Sequence, residues 1–308
     1  MDKKQVTVFG PATVSNVGPG FDLMGFALES PGDEMIVRRN DRGILVLMDE
    51  SGCNLPLDPG KNVAAVAAAS LLHRLGSKEG FDLIFTRKIN PGSGVGSSAA
   101  SCVAAVVGIN ELLGCPFEID ALIPCAMEGE KISSGSAHAD NIAPALLGGI
   151  TLICGYDPLY IKQIPYPDDL WCAVVHPELM IKTMESRKLI PTQVRLSVAL
   201  QQCGNLAGLV AGLTTCDYAL ISRSITDVFA EPYRTQQLPD FDLLRKNALV
   251  TGSIGTGLSG SGPSVFSLCR GEKMATSVGE VMRNHFTERG IEAGRYISRI
   301  SKAGCKII

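Results

Sequence analysis

The spacing of hydrophobic positions sorts this chain into strands, helices and glycine-rich loops. Val6-Thr7-Val8-Phe9 is a β-branched and aromatic run that predicts a strand stopping at Gly10-Pro11. Alternation over 34–38 and 43–47 predicts antiparallel strands of a half-exposed sheet. From 62 to 75 the apolar residues Val63, Val66, Ala67 and Leu71 keep a helical period, with Asn62 placed to cap the helix. A strand follows at 81–86, then a helix at 98–113 that ends at Gly114-Cys115-Pro116. Further helices are predicted at 119–132, carrying Glu128 and Glu130, and at 142–147, before a strand at 150–154.

Residues 156–169 hold Pro158, Pro165 and Pro167 and few small apolar residues, which predicts a boundary between domains 1–160 and 161–308. Beyond it the pattern gives a buried strand at 170–175 and helices at 198–213, 218–229 and 243–250. A glycine-rich loop over 255–268 feeds a strand, and a helix at 276–289 and a strand at 296–300 close the chain.

Two loops carry candidate chemistry. The first, Asn90-Pro91-Gly92-Ser93-Gly94-Val95-Gly96-Ser97-Ser98-Ala99-Ala100-Ser101, lies between a predicted strand and a predicted helix. Its glycines let the backbone pass close to a ligand with successive N–H groups aimed the same way. The helix behind it adds unpaired N–H groups and the positive end of its dipole, an anion site best suited to phosphate. No lysine follows the glycines, so this is not a GxxxxGK[ST] loop. Ser97 and Ser98 read either as helix caps or as ligands of phosphate or metal. The second loop is the Gly18-Pro19-Gly20 turn, which sets Asn16 and Asp22 beside apolar strands and leaves an ordinary turn and a ligand-binding one equally open.

Composition narrows the classes. Of 308 residues, 45% are hydrophobic and 19% charged, a core-rich chain long enough for two domains. A net charge of −3 without Lys/Arg clusters argues against nucleic-acid binding. The N-terminus lacks an apolar leader and no 18-residue apolar run occurs, so a cytoplasmic chain without a membrane partner is expected. Ten cysteines include no CxxC pair. Cys102, Cys154, Cys172 and Cys269 sit in apolar runs as small hydrophobes, and the four histidines lack zinc-ligand spacing. Gly255-Thr256-Gly257-Leu258-Ser259-Gly260 matches GxGxxG, but Pro263 and a β-branched run follow where a dinucleotide site needs a helix. There is no GxSxG elbow.

Three blocks in order, 11–28, 91–101 and 258–268, resemble the GHMP kinase superfamily, whose phosphate loop reads PxxxGLGSSAA; here Val95 stands for the leucine. Within it the chain is most similar to the homoserine kinases. Pro11-Ala12-Thr13 with Ser15-Asn16-Val17-Gly18-Pro19-Gly20-Phe21-Asp22 resembles PATSANLGPGFD, and Gly135-Ser136-Ala137-His138-Ala139-Asp140-Asn141 with Pro144 resembles GSxHxDNxxP. Pro232-Tyr233-Arg234 and Ser259-Gly260-Ser261-Gly262-Pro263 complete the set, while Val14 replaces a frequent serine.

The resemblance implies an α+β fold of two domains, an N-terminal α/β one with the phosphate loop and a ferredoxin-like C-terminal one. It implies ATP and Mg²⁺, with Pro91 to Ser101 around the phosphates, Asn62 near the adenine, and Ser98 and Glu130 on the metal. Asn16, Asp22, His138, Asn141, Arg187 and Arg234 would line the pocket for L-homoserine, with Asn141, Glu130, Ser98 and Arg234 nearest the chemistry. Paired N–H donors of Arg187 and Arg234 suit a carboxylate, Asp22 an ammonium, and Asn16 and Asn141 a hydroxyl. Taken alone, Arg187 is a surface charge, His138 a structural histidine and Glu130 a solvated helix residue; the resemblance raises all three. Phosphoryl transfer needs little nucleophile activation, so no protein base is expected. A mevalonate- or shikimate-type kinase and a non-catalytic sensor of the same fold are the rival readings. A homodimer is an option that no stretch of sequence marks.

Overall fold

The computed structural model describes residues 3–43, 45–135, 137–179 and 183–308. In its first half, β1 (Gln5–Ser15), β2 (Met24–Asn40) and β3 (Leu45–Asp49) precede helix α1 (Val63–Leu75). Strand β4 (Gly80–Arg87) leads through the glycine loop to α2 (Ser97–Leu112); α3 (Ile123–Ser134), α4 (Ile142–Leu147), β5 (Ile150–Tyr156) and β6 (Leu159–Ile164) follow. The second half runs β7 (Leu170–Pro177), α5 (Thr183–Lys188), α6 (Leu196–Thr215), α7 (Tyr218–Ser224), α8 (Glu231–Arg234) and α9 (Phe241–Thr251). It ends in β8 (Gly255–Leu258), β9 (Val265–Arg270), α10 (Glu272–Thr287), β10 (Ala293–Arg299) and β11 (Lys306–Ile307).

Among the described residues, seven strands form one sheet in the order β11-β1-β2-β4-β3, with β5 on β2 and β6 on β5; four form a second, β10-β7-β9-β8. The C-terminal β11 thus returns to the first sheet, and a division at residue 160 falls inside β6. Helices α1, α2 and α3 cover one core of the first sheet, including Val8, Val37, Leu83 and Phe85. A second core mixes Val14, Phe26 and Ile150 with Cys172, Val174 and Phe266, so both sheets share it. Phe26 and Phe266 meet there edge to face at 6.1 Å. The shared core fixes the two halves against each other and sets the cavity between them.

Helix α2 is buried on nearly every face, which explains its lack of an amphipathic period. At Gly108 a Cβ would lie 2.5 Å from Val37, so the glycine lets α2 approach the sheet. The long helix α6 is by length and composition apolar enough to cross a membrane. Its buried Gln202 donates to the carbonyl of Pro19 and to Asp227, tying it to the Asn16–Asp22 turn.

Several elements depart from the pattern. Strand β1 continues past Gly10-Pro11 to Ser15, because its register simply shifts at Pro11. Strand β3 pairs with β4 in parallel, not with β2 in an antiparallel hairpin. The first turn of the 119–132 helix is 3₁₀, and the 218–229 helix stops at Ser224. Gly255 to Leu258 is itself a strand rather than loop. Cys154, expected to be packed, is exposed.

Asn62 caps α1 as its position suggested. Its Oδ1 accepts from the N–H groups of Ala64 (3.0 Å) and Ala65 (3.3 Å), and its Nδ2 donates to the Pro56 carbonyl at 2.8 Å. Replacing Asn62 with Ala should cost about 1 kcal/mol of stability. Urea unfolding at unchanged slope checks this; an unchanged midpoint would mean the cap contributes nothing.

Candidate active site

Between β4 and α2 the backbone turns on Gly92, Gly94 and Gly96, with φ of 78°, 74° and 67°. This left-handed region disfavours side chains. A Cβ at Gly96 would lie 1.9 Å from Thr13 Oγ1, and one at Gly94 would lie 2.9 Å from the Gly262 carbonyl oxygen. Gly96 is the N-cap of α2 and no side chain caps the helix, so the cap reading of Ser97 and Ser98 fails. The first turn of α2 is left without a side-chain cap at the cavity wall, an arrangement that suits an anion.

Beneath the loop lies a buried ion pair absent from the sequence reading. Lys88 Nζ sits 2.9 Å from Asp33 Oδ2, with side-chain exposures of 4% and 0%. The ammonium also donates to the Ser97 carbonyl at 2.7 Å and to the Ser97 hydroxyl. Asp33 accepts from the Ile89 N–H at 2.8 Å and from the Ser101 hydroxyl at 2.7 Å. Burial pushes the Asp33 carboxyl up, and Lys88 opposes the rise. The lysine that does not follow the glycines precedes them.

On α3, Glu130 Oε1 accepts from the hydroxyls of Ser98 and Ser133, each at 3.0 Å. Burial raises this carboxyl, with Ser98, Ser133 and Lys88 holding it back. A buried carboxylate and a serine hydroxyl beside the glycine loop are hard oxygen donors that would fit Mg²⁺.

Across the cavity, the turn after β1 has Asn16 at φ 69° and Asp22 at φ 56°. Asn16 Oδ1 accepts the Asp22 N–H at 3.0 Å and its Nδ2 donates to the Gly260 carbonyl at 2.9 Å. Asp22 is gripped by the Arg187 guanidinium at 3.2 and 2.7 Å, and His138 Nδ1 lies 3.7 Å away. Burial lowers the His138 pKa against the pull of Asp22. Both guanidiniums rest on the Phe21 ring, Arg187 at 5.7 Å and Arg234 at 5.3 Å. Arg234 Nη1 donates to the Gly260 carbonyl at 2.9 Å, while its Nε is buried without a hydrogen-bond partner among the described residues.

Asn141 is held in one orientation. Thr13 Oγ1 donates to its Oδ1 at 2.7 Å, and its Nδ2 donates to Ser15 Oγ at 3.0 Å. Next to it Asp140 is 5% exposed. Burial and the charges of Asp22 and Glu130 push its carboxyl up to about 7 against the Ser15 hydroxyl.

The glycine-rich loop between β8 and β9 joins the two sides. Ser259 Oγ donates to the Gly94 carbonyl at 2.6 Å and Ser264 Oγ to that of Ser93, while the Gly260 N–H bonds the Ser15 carbonyl at 3.2 Å. The resulting cavity of about 520 Å³ is lined by Asn16, Asp22, Asn62, His138, Asn141, Arg187 and Arg234. Glu130, Pro91, Gly92, Gly94, Gly96, Ser97, Ser98 and Ser101 line it as well. Of the predicted loop residues, Val95, Ala99 and Ala100 face the core instead, and Ser93 is 2% exposed outside the lining. Lys88, Asp140, Ser15 and Gly260 are lining residues that the pattern did not single out.

Two family models match the chain: the GHMP kinases N terminal domain over residues 62–149 and the GHMP kinases C terminal domain over 209–288. A homoserine kinase of Chlorobium phaeovibrioides is 40% identical over 99% of this chain and 100% of its own. The chain belongs to the homoserine kinase family. Among solved structures, homoserine kinase from Cytophaga hutchinsonii has a TM-score of 0.96 and 42% identity over 100% of this chain and 98% of that one. L. major mevalonate kinase in complex with R-mevalonate has a TM-score of 0.75 at 16% identity, covering 97% of this chain and 99% of that one, a likeness of fold alone.

In this homoserine kinase family member the raised carboxyl of Asp140 ties stability to pH. The folded chain holds that proton more tightly than the unfolded one, whose carboxyl titrates near ~3.9. Its contribution is complete below about pH 4 and is lost as pH rises through about 7. Without ligands, the Asp140→Asn variant should therefore gain stability on the parent between pH 5 and 7.5, read from urea midpoints. Parallel curves would contradict the shift.

Proposed function

We propose that this chain transfers the γ-phosphoryl group of ATP to the hydroxyl of L-homoserine, giving O-phospho-L-homoserine for threonine biosynthesis. The observation that carries the reading is the single cavity running from the phosphate loop, past Ser98 and Glu130, to Asn16, Asn141 and Arg234. Family membership supports the same activity.

The phosphate-loop N–H groups and the α2 N-terminus hold the β- and γ-phosphates. Ser98 and Glu130 would hold Mg²⁺, which would neutralise charge on the transferring group. Asn62 lies on the nucleotide side, where the cavity wall continues through Leu55, Pro56 and Phe85. Arg234 faces the substrate carboxylate, and Asn141 gives its remaining N–H to the substrate hydroxyl. The hydroxyl oxygen attacks phosphorus in line as the bond to the ADP oxygen breaks, and the hydroxyl proton passes to an oxygen of the transferred phosphoryl group and on to water. Positioning and charge neutralisation carry the step without a protein base.

The phosphate half occupies residues 1–160, extended by the rest of β6 and by β11, and residues 161–308 add Arg187, Arg234, Gly260 and Ser261 to the cavity wall. The enzyme works in the cytoplasm with no nucleic-acid or membrane partner, and a homodimer is the assembly to test by light scattering.

A coupled ADP-release assay with ATP, Mg²⁺ and L-homoserine, L-serine, L-threonine, mevalonate, shikimate or galactose tests the reading. Selective turnover of L-homoserine is expected. Replacing Glu130 with Gln should lower kcat by about 100-fold. Turnover of mevalonate or shikimate instead would reject the amino-acid pocket. ATP binding without turnover of any alcohol would favour a sensor.

A further inference from the structure

We propose that Gln202 of α6 is a positioning residue for the acceptor side of the cavity, fixing the Asn16–Asp22 turn against the segment that leads into α8 and Arg234. This rests on the kinase reading above and deepens it on the acceptor side.

Helix α6 has no charged residue from Leu196 to Thr215, and Gln202 shares its buried face with Leu209 and Leu213. Packing alone would be served there by another leucine. The glutamine is instead 4% exposed and fully engaged. Its Nε2 donates to the Pro19 carbonyl at 3.0 Å and to Asp227 Oδ1 at 2.9 Å, while its Oε1 accepts the Val228 N–H at 2.8 Å. Both amide hydrogens and the amide oxygen are thereby used.

Each partner leads to a residue proposed for the acceptor pocket. Pro19 lies in the turn between Asn16 and Asp22, two positions before Phe21, the ring on which Arg187 and Arg234 rest. Asp227, 6% exposed, accepts the N–H groups of Phe229 at 2.7 Å, Ala230 at 3.1 Å and Glu231 at 2.8 Å, and so shapes the entry to α8. Arg234 ends that helix. Burial lowers its guanidinium pKa, and the charges of Asp22 and Asp227 oppose the fall. The turn and the segment before α8 approach closely: at Gly18, with φ 65°, a Cβ would lie 2.0 Å from the Ile225 carbonyl oxygen. Asn205 of α6 holds the same segment by donating to the Thr226 carbonyl at 2.8 Å.

An apolar side chain at 202 would take a donor from Pro19 and from Asp227 and the acceptor from Val228, in the interior where unmade bonds cost most. The turn could then shift against α8, and Phe21 and Asp22 against Arg234. None of the three bonds reaches the first glycine loop, Ser98 or Glu130, so the nucleotide side should not register the change.

The test is Gln202→Met, similar in length but without the amide, with Gln201→Met at the exposed neighbouring position as control. Gln202→Met should raise KM for L-homoserine about 10-fold and leave KM for ATP within about twofold; the control should match the wild type in both. Asp227→Asn keeps an acceptor at the entry to α8, and combining it with Gln202→Met should raise KM for L-homoserine by less than the product of the two single effects. If the Met variant fails to fold, Gln202→Asn, one methylene too short to span Pro19 and Asp227, should show the same split. A loss confined to kcat, as a smaller active fraction would give, or equal rises in KM for ATP and L-homoserine, would overturn the proposal. So would independent effects of the Gln202 and Asp227 substitutions. A wild type that phosphorylates none of the alcohols would defeat the kinase reading, whereas wild-type turnover with an unshifted L-homoserine KM in Gln202→Met defeats this assignment only.

Discussion

The Lys88–Asp33 pair is the interaction on which the site depends. It joins β2, the end of β4 and the first turn of α2 through one ammonium and one carboxylate. All three ammonium hydrogens have acceptors: Asp33, the Ser97 carbonyl and the Ser97 hydroxyl. Removing one member would strand the other charge in the interior, a penalty of about 3–5 kcal/mol. The glycine loop above it has left-handed backbone at three positions and no side-chain cap. Such a loop has little of its own to hold it in shape. The buried pair is one support of its shape, together with the Ser259 and Ser264 hydroxyls on the Gly94 and Ser93 carbonyls.

From this anchor the geometry reaches the acceptor pocket in two steps. Ser259 and Ser264 bond the Gly94 and Ser93 carbonyls, and Gly260 receives both Asn16 and Arg234. A single loop of the second half therefore touches both the first glycine loop and the residues proposed to face the acceptor. Donor and acceptor sides are set relative to each other by backbone contacts and by the shared Phe26–Phe266 core. The positioning on which phosphoryl transfer relies is in this way a property of the junction between the sheets.

Much of this was legible in the chain, and the reasons divide cleanly. The strand–loop–helix order, the Asn62 cap and the Asn16–Asp22 turn rest on local chemistry, and they appear where the pattern set them. Strand β3 was mispaired because alternation reports a half-buried strand but not its neighbour. Strand β6 and the short helices α5 and α8 escaped because proline-rich or four- to six-residue segments carry little periodicity. Lys88 was overlooked for a physical reason: phosphate-loop lysines are sought after the glycines, and this one acts from below. Asp140 stood beside Asn141 in plain view, but the burial that raises its carboxyl is a fact of three dimensions. The engagement of Asp22 with Arg187, likewise, joins residues 165 positions apart.

Hydrogen exchange of the nucleotide-free protein, comparing wild type with Lys88→Met, tests most directly that the ion pair holds the phosphate loop. The account predicts slow exchange over Ala100 to Val103, whose N–H groups are bonded within α2, in the wild type and at least ~10-fold faster exchange there in the variant, relative to the β7–β9 control segment. Equal exchange over that stretch, with the variant folded, would contradict it and would leave the loop's shape to its own glycines.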